Sequence, residues 1–290
     1  MSNHLSPPRS YASPRPARKG LYVLPSLFTA ANIGAGYYAI AQAIVGTTTL
    51  DASHFDLAAK AIGFAILFDG LDGRIARMTN TASAFGRELD SLADVIAFGI
   101  APAILAWLWG FRGLPAMDDY ELRSQIVQFG AVATFVFLMA GAARLARFNI
   151  QTNPQPSNPG RPGKKYFVGM PIPAGAGVIA AVVHFARGNP LQPWWLSAAW
   201  GVVVCGLGFL MVSTWRFYSF KDLNFGRQMN FRWIIVFGGL IALLWFFSRY
   251  FLIALAVFYT LAGIAARLSY LIRRPAVSSP PHQDEASHAY

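Results

Sequence analysis

Residues 69–94 read DGLDGRIARMTNTASAFGRELDSLAD, and long apolar runs flank them on both sides. A carboxylate at membrane depth costs about 2.5–3.5 kcal/mol on insertion scales, so four aspartates beside apolar runs mark a functional site. Asp69, Asp72, Gly73, Ala76 and Arg77 follow i, i+3, i+4, i+7, i+8, the spacing of one helical face. Gly86, Asp90 and Asp94 follow i, i+4, i+8, again one face. A short turn near 79–85 lets the two faces oppose each other across an interhelical groove.

Outward from this stretch, the chain reads as a membrane protein. Of its 290 residues 55% are hydrophobic and only 13% charged, about half the charged share of a soluble domain. Apolar runs near 22–46, 56–78, 90–110, 125–148, 170–187, 194–214, 232–248 and 250–271 are each close to the 20 residues that a spanning helix needs. The expected fold is therefore all-α, a polytopic bundle over 21–274 with about eight spans. A tight hairpin is expected at Ser248 and Arg249. Residues 1–20, polar and rich in Pro, Ser and Arg, read as a disordered basic cytoplasmic tail, and 275–290 as a flexible C-terminal tail.

The net charge is +11. In a soluble protein that would suggest nucleic acid. Here the basic residues lie in short connections, which points to membrane topology and anionic head groups, with no nucleic-acid partner. Lys and Arg gather in the N-terminal tail, in the second–third, fourth–fifth and sixth–seventh connections and at the C-terminal end. Only Arg112, Arg123, Arg187 and Arg249 fall in connections on the other side, and Lys60, inside a span, reads as snorkelling. This bias puts both termini and the acidic stretch in the cytoplasm. The single cysteine, Cys205, excludes an internal disulfide and a cysteine metal cluster, and the five histidines show no metal-ligand spacing.

Carboxylates without Cys or His partners favour hard cations such as Mg2+, Mn2+ or Ca2+. Two such ions bridged by shared carboxylates form a clamp for phosphoryl transfer. Gly70, Gly73, Ala76 and Gly86 lack bulk where a ligand comes close. Arg77, one turn beyond Gly73, offers a planar fork for a phosphate oxygen. Salt bridges with Arg74, Arg77 and Arg87 would explain a lone Asp–Arg pair, but not four aspartates on two opposed faces. Arg144 and Arg147, i, i+3 at the end of the fourth span, with Asn149, suit a small carboxylate ligand; positive-inside anchoring explains the arginines equally well.

The stretch fits D-x2-D-G-x2-A-R-x8-G-x3-D-x3-D without a gap and resembles the CDP-alcohol phosphotransferases. The resemblance implies a six-helix core, usually homodimeric, here with about two extra C-terminal transmembrane helices. It implies CDP-diacylglycerol as donor and Asp69, Asp72 and Asp90 as metal ligands. Asp94 falls where the family has its general base, with a further metal contact. Gly73, Ala76, Arg77 and Gly86 fall where relatives hold CDP, as do Thr29 and Asn32 within LPSLFTAANIGAG (24–36). VIAFGIAPA (95–103), GAARLARFN (141–149) and FVGMPIPAGAG (167–177) resemble the membrane-bound phosphatidylserine synthases. This implies L-serine as acceptor, two Mg2+ or Mn2+ ions and an inner-membrane enzyme, with Arg144, Arg147 and Asn149 as serine-binding candidates. Glycerol 3-phosphate, inositol phosphate or choline as acceptor, and an ion-coupled transporter, stand as alternatives.

Overall fold

Apolar runs in a bilayer satisfy their backbone groups internally, and this chain does so with helices. The computed structural model describes residues 23–78, 84–115, 119–150, 166–218 and 231–272. Both tails, together with Arg161, Lys164 and Lys165 of the fourth–fifth connection and Lys221 and Arg227 of the sixth–seventh, lie outside the described residues.

Helices α1 (Val23–Thr49) and α2 (Ala52–Met78) are joined through Leu50 and Asp51. Leu50 takes a positive φ of 57° to turn the chain. Asp51 then accepts from the Ser53 amide (2.9 Å) and hydroxyl (2.8 Å), capping the start of α2. The two helices pack through Ala39 and Ala43 on one side and Ala58, Ala59 and Ala65 on the other, all buried. Small residues let the backbones approach closely.

Residues 84–112 form one continuous helical rod of varying pitch. Helix α3 (Ala84–Asp94) passes into a π-helical stretch (Val95–Ile100), then α4 (Ala101–Trp107), then a second π-helical stretch (Leu108–Arg112). The first π stretch lies against α1. A Cβ at Gly36 would stand 2.8 Å from the Ala97 Cα, so only glycine permits this approach right behind Asp94.

Helix α5 (Tyr120–Ile150) packs on α7 (Trp194–Val212) through buried Ala133, Phe137, Val204 and Leu207. Their outer faces expose Phe129, Val132, Phe135 and Met139 on α5 and Val202, Val203 and Phe209 on α7. In a bilayer these apolar faces meet lipid. Between the two helices come strand β1 (Tyr166–Val168) and helix α6 (Ile172–Phe185); strand β2 (Arg216–Tyr218) follows α7 and pairs antiparallel with β1, Phe167 opposite Phe217. Helix α8 (Phe231–Ile272) packs on α6 and is kinked at Phe247 (φ −129°, ψ 26°).

Among the described residues, four helical stretches combine the length and hydropathy of a membrane span: Phe85–Arg112, Tyr120–Ile150, Trp194–Val212 and Phe246–Ile272. At 1.5 Å per residue, α1 and α2 reach about 40 Å, enough for a hydrocarbon core of about 30 Å, whereas α6 reaches only about 21 Å. The chain is an all-α, multi-pass membrane bundle carrying one two-stranded ribbon.

Two local expectations are refined. FVGMPIPAGAG leads into the span expected from about residue 170, and its first residues are not helical. Phe167 and Val168 lie in β1, Gly169 takes φ 74°, and the helix starts only after Pro171. A positive-φ glycine followed by a proline cannot continue a helix, and a proline near the first helical position starts one. The tight hairpin expected at Ser248 and Arg249 is not formed: α8 runs through this point as one helix, kinked where the single residue Phe247 leaves helical geometry.

Candidate active site

Helix α2 carries Asp69 and Asp72 on successive turns near its C-terminal end, and α3 carries Asp90. The structure brings one carboxylate oxygen from each of these three within 4.8 Å of the other two. Asp94, one turn beyond Asp90, is outside this group but within hydrogen-bonding reach of Asp69. The turn itself, 79–83, lies outside the described residues, as do the side chains of Ala76 and Arg77. The backbone of both residues is helical within α2.

Asp72 is only 4% exposed. The Thr29 hydroxyl on α1 donates to its Oδ2 at 3.1 Å. Asn32, one turn along α1, is fully buried, and neither its side-chain oxygen nor its nitrogen has a hydrogen-bond partner. One oxygen each of Asp90 and Asp94 is likewise buried and unpaired. Such groups cost roughly 1–3 kcal/mol each when left unsatisfied. Orphaned acceptors beside a converged carboxylate triad are what a hard, oxygen-seeking cation completes. The donor set therefore fits a divalent metal held by Asp69, Asp72 and Asp90.

Space for a ligand adjoins the triad. A Cβ built at Gly70 or Gly73 meets nothing within 4 Å, so the α2 surface beside Asp72 is open. Gly86, partly buried, sits one turn before Asp90 on α3. The exposed side chains of Leu67, Leu71 and Leu92 border this end of the two helices.

The C-terminal end of α5 reaches the same region. Asn149 Nδ2 donates to the Ser91 hydroxyl at 3.1 Å, next to Asp90 in sequence. Arg144 is buried, and among the described residues no carboxylate comes within ion-pairing distance of it. Arg147 is engaged elsewhere: Nη1 donates to the Val212 carbonyl at the end of α7 (3.1 Å), beside Gly169. The two arginines are thus inequivalent, with Arg144 the buried cation and Arg147 a tie between α5 and α7.

A second polar cluster, which the sequence reading missed, lies toward the other end of the bundle. His184 on α6 donates from Nδ1 to Asp56 Oδ1 on α2 (2.5 Å), and its Nε2 shares a 2.9 Å hydrogen bond with the Ser248 hydroxyl on α8. Lys60 pairs with Asp56 Oδ2 at 2.7 Å, so it is an ion-pair partner and not only a snorkelling side chain. The i, i+4 spacing of Asp56 and Lys60 was visible in sequence. The histidine, 128 residues away from Asp56, was not.

The sequence pattern of the CDP-alcohol phosphatidyltransferase family matches residues 22–206. A Helicobacter pylori protein (strain ATCC 700392 / 26695) named CDP-diacylglycerol–serine O-phosphatidyltransferase is 36% identical over 227 residues, which cover 76% of this chain and 82% of that protein. A Saccharomyces cerevisiae protein of the same name is 33% identical over 159 residues, 55% of this chain and 52% of its own length. One from Methanocaldococcus jannaschii, again so named, is 28% identical over 228 residues, 79% of this chain and 90% of its own. With the carboxylates of α2 and α3 converged inside the matched segment, the chain belongs to the CDP-alcohol phosphatidyltransferase family.

Proposed function

We propose that this protein transfers the phosphatidyl group of CDP-diacylglycerol to the hydroxyl of L-serine, giving phosphatidylserine and CMP. One observation carries the reading above the others. Three carboxylates from two helices meet within 4.8 Å, in a chain similar over most of its length to proteins named for that reaction. Asp69, Asp72 and Asp90 hold the cation, Mg2+ or Mn2+ and two ions in the reading adopted here. Divalent metal held by these side chains would supply charge neutralisation at the diphosphate and at the departing CMP.

The protein's own side chains do the rest. Gly73, Ala76, Arg77 and Gly86 line the CDP position, where open space beside Gly73 admits the nucleotide. Thr29 fixes Asp72 through its hydrogen bond, and Asn32, one turn along α1, offers two buried polar atoms without a partner. Arg144 receives the serine carboxylate, its burial strengthening the charge-assisted bond. Arg147 holds the neighbouring backbone, and Asn149 anchors the end of α5 to α3. Asp94 takes the hydroxyl proton as the serine oxygen bonds to the lipid-bearing phosphorus. The bond from that phosphorus to the bridging oxygen breaks in line, and CMP leaves.

In this reading 21–274 is the catalytic domain between two cytoplasmic tails, and the protein is a homodimer in the inner membrane with its site facing the cytoplasm. The test is an acceptor panel. Purified protein in vesicles containing labelled CDP-diacylglycerol is offered serine, glycerol 3-phosphate, inositol phosphate or choline, with and without Mg2+ or Mn2+. Labelled phosphatidylserine and CMP, formed only with serine and metal, are expected. A different lipid product would reassign the acceptor, and no CMP with any acceptor would favour a transporter.

A further inference from the structure

Arginines on the sparse side of the bundle need a reason of their own, because membrane topology favours Lys and Arg on the other side. Two of them, Arg112 and Arg123, line one cavity of about 160 Å3 together with Tyr120, Ser124, Val127 and Gln128. That is roughly ten times the space a single water needs. Arg112 closes the second π-helical stretch, and the other five residues stand on the first turns of α5. Asp90 and Arg112 lie on one helical rod, at opposite ends of a stretch of about 30 Å. The cavity is therefore removed from the carboxylate triad by about the thickness of a hydrocarbon core.

The protein orients both guanidinium groups. Arg123 Nη2 donates to the Leu114 carbonyl at 3.2 Å, and its Nε is buried without a hydrogen-bond partner. Arg112 rests over the Trp107 ring, 5.9 Å from the centroid. Among the described residues no carboxylate comes within ion-pairing distance of either arginine. Asp119 is used as a cap, accepting from the Leu122 amide at 2.9 Å, and Glu121 is exposed on the first turn of α5. An arginine that only snorkels extends its head into bulk water. This pair is instead set around a concavity whose lining supplies no counter-charge. From the cavity, Gln128, Val132, Phe135 and Met139 follow i, i+4, i+7, i+11 along α5 and form one exposed stripe, apolar from Val132 onward. The stripe runs about 16 Å, half of a hydrocarbon core of about 30 Å and so the depth of one leaflet.

We propose that the Arg112–Arg123 cavity binds the headgroup of an anionic phospholipid in the leaflet opposite the carboxylate triad. The phosphodiester oxygens accept from the two guanidinium groups, whose planar forks suit them. Tyr120, Ser124 and Gln128 offer polar partners to the rest of the headgroup. An acyl chain lies along Val132, Phe135 and Met139. The stripe separates a lipid from a free phosphate, which would gain nothing from it. This site is independent of the reaction proposed above and of its acceptor.

Native mass spectrometry of the full-length, detergent-solubilised protein tests it. Dioleoyl-phosphatidylglycerol or dioleoyl-phosphatidylcholine is titrated into wild type, Arg112→Gln, Arg123→Gln and Asp72→Asn, with and without millimolar inorganic phosphate. Wild type is expected to hold phosphatidylglycerol about fivefold or more tightly than phosphatidylcholine. Arg112→Gln and Arg123→Gln should each raise the Kd for phosphatidylglycerol about tenfold. Arg112→Gln breaks no hydrogen bond within the described protein, so it decides the matter if Arg123→Gln, which loses the tie to Leu114, does not fold. Asp72→Asn should keep the wild-type affinity, and inorganic phosphate should not displace the lipid. Unaltered retention in Arg112→Gln would overturn the site, and loss of retention in Asp72→Asn would place the lipid at the triad instead. Equal retention of phosphatidylcholine, or displacement by inorganic phosphate, would overturn the assignment of an anionic lipid.

Discussion

Replacing Asp72 by Asn separates a metal site from a structural ion-pair network. Asn keeps the size of the side chain and an oxygen that accepts from Thr29 Oγ1, so the 3.1 Å bond of the wild type survives. What is lost is one charge in a group of three whose oxygens lie within 4.8 Å. At 4.8 Å and an effective dielectric of about 20, two like charges repel by about 3.5 kcal/mol. Asp72 takes part in two such pairs, so its neutralisation removes roughly 7 kcal/mol of gross repulsion. Screening and small displacements of the carboxylates offset most of that. A surviving gain of about 1 kcal/mol corresponds to roughly 2–4 °C in melting temperature. The variant should therefore melt at or above wild type in a chelator. Wild type should gain about 2.7 kcal/mol at a metal concentration one hundred times Kd, and the variant almost none. Turnover should fall by about two orders of magnitude or more with the loss of a metal ligand. Thermal unfolding of detergent-solubilised protein, followed by tryptophan fluorescence with EDTA or with Mn2+, reads both effects. A variant that melts well below wild type in EDTA and still gains stability from Mn2+ would mean that Asp72 serves an ion pair, and the metal assignment would be lost.

Three further outcomes follow from the same geometry. Thr29→Val removes the hydroxyl donor to Asp72, a bond worth about 1.5–3 kcal/mol to a charged partner; the metal concentration for half-maximal activity should rise about tenfold or more, and no change in a metal titration would contradict the role given to Thr29. Arg144→Gln should raise the serine KM about tenfold or more, the value of a charge-assisted bond, with the donor KM unchanged in the same steady-state assay. Gly36→Leu forces a side chain into the Ala97 backbone, 2.8 Å from its Cβ. It should lower the melting temperature by several degrees and cut turnover, since α1 must move off the π-helical stretch behind Asp94, whereas a wild-type melting curve would show that the close approach is dispensable.

What the sequence made legible was local periodicity. Asp69 to Arg77 and Gly86 to Asp94 lie within single helices, so 3.6-residue spacing alone put their carboxylates on shared faces. The apolar runs gave the helices within a few residues. Contacts between distant segments were not legible. Thr29 reaching Asp72, Asn149 reaching Ser91 and His184 reaching Asp56 depend on how α1, α5 and α6 pack, which no spacing encodes. The ribbon was missed because Phe167 and Val168 look like the apolar opening of a span, although Gly169 and Pro171 mark where the helix cannot yet begin. Arg144 and Arg147 looked alike as an i, i+3 pair; only burial and the Val212 carbonyl distinguish them. The kink at Phe247 adjoins Ser248 and Arg249, where the sequence marked a break, but with no glycine or proline there the sequence did not tell a kink from a hairpin.

The most direct measurement is the anomalous scattering of Mn2+ in crystals of the purified protein grown with CDP and the metal. The account predicts density bounded by Asp69, Asp72 and Asp90 with the diphosphate beside it, and its disappearance in the Asp72→Asn protein. Manganese bound only away from these three side chains, or CDP bound with no metal between α2 and α3, would contradict it.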